Sequence, residues 1–126
     1  MGAKVPLTGT DTGGVTFGEV SFANIDTAAS GNTALVAAVS DKKIRVLAVA
    51  VIGAGATDVY FNDGTANLFG GTRAAPISLD GSDGGAGFII DYSPVGWFET
   101  AAVNRPLNLN CSTTGGVMGC VVYVLV

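Results

Sequence analysis

Two stretches decide the fold of this chain: KIRVLAVAVI at residues 43–52 and VMGCVVYVLV at residues 117–126. Both are rich in β-branched residues and apolar at consecutive positions, so each predicts a strand that is covered on both faces. A strand with one face in water alternates apolar and polar residues instead. Because a single sandwich covers one face of each sheet, the second face should contact the N-terminal part of the chain or another subunit. The two stretches therefore predict a β-protein that assembles.

Length and composition limit the classes of protein that remain. A chain of 126 residues predicts one domain, and its 13% of charged residues lies below the roughly 25% of typical globular domains. The formal net charge is −4 and the six basic residues are scattered, which argues against a nucleic-acid partner and against an anionic membrane. The longest apolar runs are about half the ~20 residues of a transmembrane helix. No apolar segment of a secretory signal is visible near Met1.

The N-terminal segment, residues 1–32, differs in composition from the rest of the chain. It is rich in Gly, Thr, Ser and Asp, and its apolar residues are isolated. Short alternation predicts an extended arm with one or two short strands, held by four candidate arm contacts: Val15, Phe17, Val20 and Phe22. A disordered tail is the alternative.

Residues 33–126 carry short strand patterns separated by turn signals, and no stretch of 11 residues has a helical period. The predicted strands are 33–39, 43–52, 57–62, 66–69, 76–79, 87–91, 97–100, 106–111 and 117–126. Asn62-Asp63-Gly64 is a hairpin signal. This pattern predicts an all-β, antiparallel β-sandwich of about eight strands that is jelly-roll-like, with an immunoglobulin-like sandwich as the alternative.

The last two predicted strands can be placed in register if Gly115-Gly116 forms a two-residue hairpin loop. Cys111 then faces Cys120, either as a disulfide or as two buried thiols. One face of this hairpin is apolar, whereas the other is mixed and should be covered. The residues of the mixed face are the candidate oligomer interface: Asn108, Asn110, Val121, Tyr123 and Leu125.

Motifs that indicate catalysis or metal binding are weak in this chain. Histidine is absent, which removes the commonest general base and metal ligand. The sequence GAGA at 53–56 lacks the third glycine and the helix of a dinucleotide site, and DTG at 11–13 lacks an apolar strand leading into it. The turn at 80–84 lacks the later ligands of a calcium loop. We therefore predict no catalytic residue, no cofactor and no metal site, so the protein is not expected to be an enzyme.

Aromatic residues near position 97 leave two interpretations open. Tyr92 and Trp97 could form an exposed platform for a sugar ring. Trp97-Phe98 also follows a turn at Pro94 and leads into a strand, where alternation would bury one of the two rings in the core.

The order of several motifs resembles small structural proteins that are encoded in phage and prophage virion gene clusters. The motifs are KKIRVLAVAV (42–51), FNDG (61–64), PISL (76–79), PVGWFET (94–100), RPLNLN (105–110) and VVYV (121–124). GWFET at 96–100 followed by LNLN at 107–110 carries most of the resemblance, which covers about residues 33–126. The arm and the cysteines lie outside the pattern.

The resemblance implies a capsid decoration (cement) protein that stabilises a phage head at junctions between capsid subunits without catalysis. It implies a homotrimer, the major capsid protein as partner, and a place on the capsid surface of a virion assembled in the bacterial cytoplasm. The alternative is a β-sandwich module of a tail, fibre or adhesin that recognises carbohydrate.

Overall fold

The structure is a computed structural model that describes residues 19–70, 77–79 and 85–126, together with the backbone of residues 5 and 6. These residues contain eleven strands and no helix, so nothing in this part of the chain is a helix that could cross a membrane. The strands are β1 (Val5–Pro6), β2 (Glu19–Thr27), β3 (Gly31–Val36), β4 (Ile44–Gly53), β5 (Thr57–Asn62), β6 (Asn67–Phe69), β7 (Ile77–Leu79), β8 (Ala86–Ile90), β9 (Phe98–Glu99), β10 (Leu107–Cys111) and β11 (Val117–Leu125).

The strands form two antiparallel sheets that pack face to face. The large sheet has the order β1-β2-β11-β4-β8, with β9 also paired to β4, and the small sheet has the order β3-β10-β5-β6, with β7 paired to β5. If the short β1, β7 and β9 are set aside, the other eight strands have the chain order 1-8-3-6 in one sheet and 2-7-4-5 in the other. This interleaving is that of a jelly roll, so the predicted all-β sandwich is confirmed.

The core lies between the sheets and is built from alternate residues of each strand. Aromatic rings occupy its centre: the centroids of Phe69 and Phe98 are 5.2 Å apart in a stacked pair, and Phe61 lies 5.4 Å from Phe98. Fully buried aliphatic residues of both sheets surround these rings, including Val46, Val49, Val59, Leu107, Leu109, Val117 and Val121. The alternation predicted for Trp97-Phe98 is correct, because one ring of the two packs in this core.

The N-terminal strand β2 is an integral part of the large sheet. It pairs with β11 from Ser21 to Thr27, and Ile25 on this strand is buried in the core. The sandwich therefore includes residues 19–32, which the composition places in the arm, because β3 also begins at Gly31. The predicted arm contacts Val15 and Phe17 lie outside the described residues.

The predicted hairpin of the last two strands is wrong, because β10 and β11 belong to different sheets. Residues 112–116 instead cross from one sheet to the other, beside the crossing loop that joins β4 to β5. The Ala54 N–H donates to the Gly116 carbonyl at 2.9 Å, and a Cβ on Gly55 would lie 2.9 Å from the Gly115 oxygen. Gly55 and Gly115 are thus needed because the two crossing loops approach each other closely. Gly115 does not form part of a hairpin turn.

Candidate functional site

The outer face of the large sheet carries an exposed apolar patch, which we call the apolar face. Its exposed members are Phe22 (40%), Ile52 (54%), Ile89 (76%) and Met118 (52%). Between them lie the smaller, half-buried residues Ala48, Ala50, Cys120 and Val122. The pairing of β2, β11, β4 and β8 makes these residues neighbours, since Ile52 is opposite Met118, Ala50 is opposite Cys120 and Ile89, and Val122 is opposite Phe22. On β2 the patch is bordered by polar residues, since Asn24 is opposite Cys120 and Asp26 is opposite Met118.

One end of the same outer surface is buried. Val20, Leu47 and Val124 form a small second cluster, against which Val122 and Val126 pack. Leu47 reaches this cluster because the pairing of β4 with β11 shifts between Val122 and Tyr123, which places one extra residue in β4. The predicted arm contact Val20 is therefore buried on this face, while Phe22 stays partly exposed beside it.

The outer face of the small sheet is polar, and we call it the amide face. Outward residues of the adjacent strands β3, β10 and β5 form a grid of three rows that run across the sheet. One row contains Asn32, Asn110 and Tyr60, because Asn110 on β10 is paired with Asn32 on β3 and with Tyr60 on β5. Asn108 lies in the next row opposite Asn62. Ser112 and Asp58 complete the third row, where the Asp58 N–H donates to Ser112 Oγ at 2.8 Å.

Side-chain amides on this face are bonded to one another. Asn110 Nδ2 donates to Asn32 Oδ1 at 2.8 Å, and Asn62 Nδ2 donates to the same oxygen at 3.0 Å. Asn108 Nδ2 donates to Asn62 Oδ1 at 3.2 Å, and this oxygen also accepts the Gly64 N–H at 2.9 Å. Four asparagines on three strands are therefore held in fixed orientations.

Two depressions lie along the grid, and both are lined by Tyr60 and Asn110. One has a volume of about 370 Å³ and extends toward Asp58 and Ser112, and the other has a volume of about 310 Å³ and extends toward Asn67. Pockets of roughly 300 Å³ and above are large enough for small ligands.

Asp63 anchors one end of the amide face. Its carboxylate is buried and accepts the Thr65, Ala66 and Ala101 N–H groups at 2.8–3.0 Å, and Arg105 Nη1 lies 3.3 Å away. Burial raises the pKa of this carboxyl, but the three backbone hydrogen bonds and the Arg105 charge together lower it, and the net pKa is below its ordinary value. Asp63 therefore ties the β5–β6 hairpin to the loop at 101–105 as an ionised group.

A third exposed feature is the loop 91–97, which we call the aromatic loop. Tyr92 is 49% and Trp97 is 56% exposed, and Val95 between them is exposed as well. Backbone hydrogen bonds from Ser93 N to Leu47 O and from Trp97 N to Val46 O, both 2.9 Å, fasten the loop to β4. Trp97 Nε1 donates to the Asp91 carbonyl at 2.7 Å, so the indole orientation is fixed.

The structure separates the five residues predicted as the oligomer interface. Val121 is fully buried in the core, so it offers no outer surface, and Tyr123 and Leu125 pack partly against the same core. Asn108 and Asn110 belong to the amide face of the other sheet. The prediction grouped them because it paired β10 with β11. The outward residues of β11 that reach the surface are instead Met118, Cys120 and Val122, which are not among the five predicted interface residues.

The two cysteines are free thiols in different environments. Cys111 is buried in the core, where burial raises the pKa of its thiol. Cys120 is half-buried on the apolar face, so the predicted opposition of the two residues is wrong.

The motifs that were considered for metal binding or catalysis can be compared with the described part of the chain. No group of three or more His, Cys, Asp or Glu residues within that part of the chain could hold a metal ion. The motifs at 11–13 and 80–84 lie outside the described residues, and GAGA at 53–56 includes the crossing loop between β4 and β5. Comparisons of the chain with protein-family models, with curated proteins and with solved structures give no match.

Proposed function

We propose that this chain is a structural virion protein that decorates and stabilises a phage capsid as a homotrimer, without catalysing a reaction. The observation that carries the proposal is the apolar face, whose large side chains are exposed in the single chain. Contiguous apolar patches of this kind mark surfaces that bind other proteins. The resemblance of residues 33–126 to phage virion proteins supplies the partner, which is the major capsid protein of the same virion.

In this role the protein lies on the outer surface of the capsid, after assembly in the cytoplasm of the bacterial host. A cement protein needs a rigid body and several weak contacts that add together when a trimer binds. The jelly roll supplies the rigid body. The apolar face supplies the surface for packing between copies. The aromatic loop supplies the surface for contact with the capsid.

Light scattering and capsid co-sedimentation test this proposal together. The full chain is expected to have the mass of three chains and to sediment with capsids assembled from the major capsid protein of the same gene cluster. The double variant Ile89→Glu/Met118→Glu places two charges on the apolar face and should be a monomer that binds capsids weakly. The matched control Ala34→Glu places a charge at an exposed position of the small sheet and should remain a trimer. A monomeric wild-type chain that does not bind capsids would contradict the proposal.

A second candidate is carbohydrate recognition by a tail, fibre or adhesin module, and the exposure of Tyr92 and Trp97 favours it. Aromatic side chains that are held rigid and open to solvent can stack on the apolar face of a sugar ring. A glycan array with the full chain tests this candidate. Binding that is lost in Trp97→Ala would support it, and binding that is unchanged in this variant would exclude the aromatic loop as the sugar site.

A further inference from the structure

We infer that the amide face is a binding site for a neutral saccharide of one or two sugar units. The inference goes beyond capsid decoration and places the ligand on a different surface from the aromatic loop. It rests on the arrangement of Asn32, Tyr60 and Asn110 in one row across three strands.

The first argument is the availability of polar groups. Each of the three residues in this row keeps a polar group with no hydrogen-bond partner among the described residues: Asn32 Nδ2, Asn110 Oδ1 and Tyr60 Oη. Asn32 Nδ2 is a donor, Asn110 Oδ1 is an acceptor and the phenol can do either. A sugar hydroxyl also donates and accepts, so adjacent hydroxyls of a ring match such a mixed row.

The second argument is preorganisation. The amide of Asn32 cannot turn without breaking two hydrogen bonds, because its Oδ1 accepts from both Asn62 and Asn110. Asn62 is fixed in turn by Asn108 and by the Gly64 N–H. Binding therefore costs little side-chain entropy at these positions, which favours a small ligand that makes few contacts.

The third argument is size and shape. Three rows of residues on three strands span about 13 Å along the strands and about 10 Å across them. The two depressions of about 370 and 310 Å³ share Tyr60 and Asn110 as lining residues. One sugar ring would occupy each depression, with the Tyr60 ring between them.

The fourth argument is charge, which disfavours an anionic ligand. Among the residues that the structure describes, no Lys or Arg lines either depression, and Asp58 is the one charged residue that does. A phosphate, a sulfate ester or a sialic acid would meet the Asp58 carboxylate without a cation to balance it. An apolar ligand would cover the free amide groups without replacing their bonds to water, which is unfavourable.

The test is an array of neutral and acidic glycans probed with the full chain, followed by calorimetric titration of the best neutral ligand. Asn110→Ala and Tyr60→Ala are each expected to weaken binding by about tenfold or more, which is the loss expected when a polar contact is removed. Trp97→Ala is the control for the aromatic loop and should bind as the wild type does. Circular dichroism and the urea midpoint of each variant show whether it is folded.

Three results would overturn the inference: a wild-type chain that binds no glycan, binding restricted to acidic glycans, or binding that Trp97→Ala removes and Asn110→Ala retains. A conservative variant, Tyr60→Phe, separates the phenol from its ring. It should keep part of the affinity, since stacking remains while one hydrogen bond is lost. Capsid co-sedimentation of Asn110→Ala should be unchanged, so the two proposals can fail independently of each other.

Discussion

The two outer faces of this jelly roll differ in how their side chains are held. On the apolar face, Ile89 and Met118 project into solvent and can change rotamer when another surface approaches. On the amide face, Asn32, Asn62 and Asn110 are bonded to one another and keep one orientation. A flexible apolar surface suits contact with a large protein, whereas a fixed polar surface suits recognition of a small ligand. One fold thus presents two surfaces with different physical requirements.

The difference originates in the alternation of the strands. β5 and β10 place apolar residues inward and polar residues outward, as in Leu107, Asn108, Leu109 and Asn110. Apart from Arg45, which pairs with Glu99, the residues of β4 and β11 are apolar in both directions, so their outward side chains form no network of this kind. Substitutions on both faces should separate stability from binding.

The largest effect on stability is expected for Asp63→Asn at the edge of the amide face. The variant replaces a buried charge that pairs with Arg105, and it sets an amide N–H against a backbone N–H. We expect a loss of about 3 kcal/mol in the free energy of unfolding, measured by urea denaturation. The matched control is Asp26→Asn, an exposed position on the outer face of β2, which should change this free energy by less than about 0.5 kcal/mol. Equal losses at the two positions would contradict the anchoring role of Asp63.

The same carboxylate predicts an acid dependence of stability. The pKa of Asp63 in the folded chain lies below its ordinary value of 3.8, so the ionised form stabilises the fold. This contribution is complete above about pH 4 and is lost as the pH falls through the folded pKa. Urea midpoints measured between pH 7 and pH 2.5 should decline more steeply for the wild type than for Asp63→Asn. Parallel curves would show that Asp63 does not contribute.

A smaller effect is expected for Asn108→Ala, which removes a buried member of the amide network. Asn62 Oδ1 keeps the Gly64 N–H, so the loss should be about 1.5 kcal/mol. Asn24→Ala removes an exposed amide from the outer face of β2 and is the control. The difference in urea midpoint between Asn108→Ala and Asn24→Ala measures the stability that the amide network contributes, apart from the effect of replacing an exposed asparagine.

The smallest effect is expected for Met118→Ser on the apolar face. Because this side chain is half exposed, its truncation should alter the unfolding free energy of a monomer by less than about 0.5 kcal/mol. The comparison is between Ile89→Glu/Met118→Ser and Ile89→Glu alone. The charge at position 89 should keep both of these chains monomeric. A large loss of stability would mean that Met118 packs against the chain itself.

The sequence predicted the strands better than their pairing. The bounds of β5 agree with the predicted 57–62, and those of β4, β10 and β11 differ by a residue at one or both ends, because alternation and turn residues are local signals. The pairing of β10 with β11 failed because a Gly-Gly loop can serve a hairpin or a crossing between sheets. Only contacts with the distant loop at 54–56 distinguish these possibilities. Such contacts cannot be predicted from the local sequence of residues 112–116.

The candidate sites show the same limit. Alternation in DVYFN and LNLN places Tyr60, Asn62, Asn108 and Asn110 on outward faces, so a polar surface could have been predicted from these two strands. Their adjacency depends on β10 lying between β3 and β5, which no local pattern reports. The role of Asp63 was hidden for a similar reason, since Arg105 lies 42 residues away in the chain.

The position of β11 has a consequence for the order of folding. β11 lies between β2 and β4 and is their shared partner in the large sheet. Until β11 has been synthesised, β2 lacks the strand that joins it to β4, and the apolar strand β4 lacks one of its neighbours. Contacts between residues so far apart in the chain make folding slow, and incomplete chains expose surface that aggregates. Chains that end before residue 117 should therefore be less soluble on synthesis than the full chain.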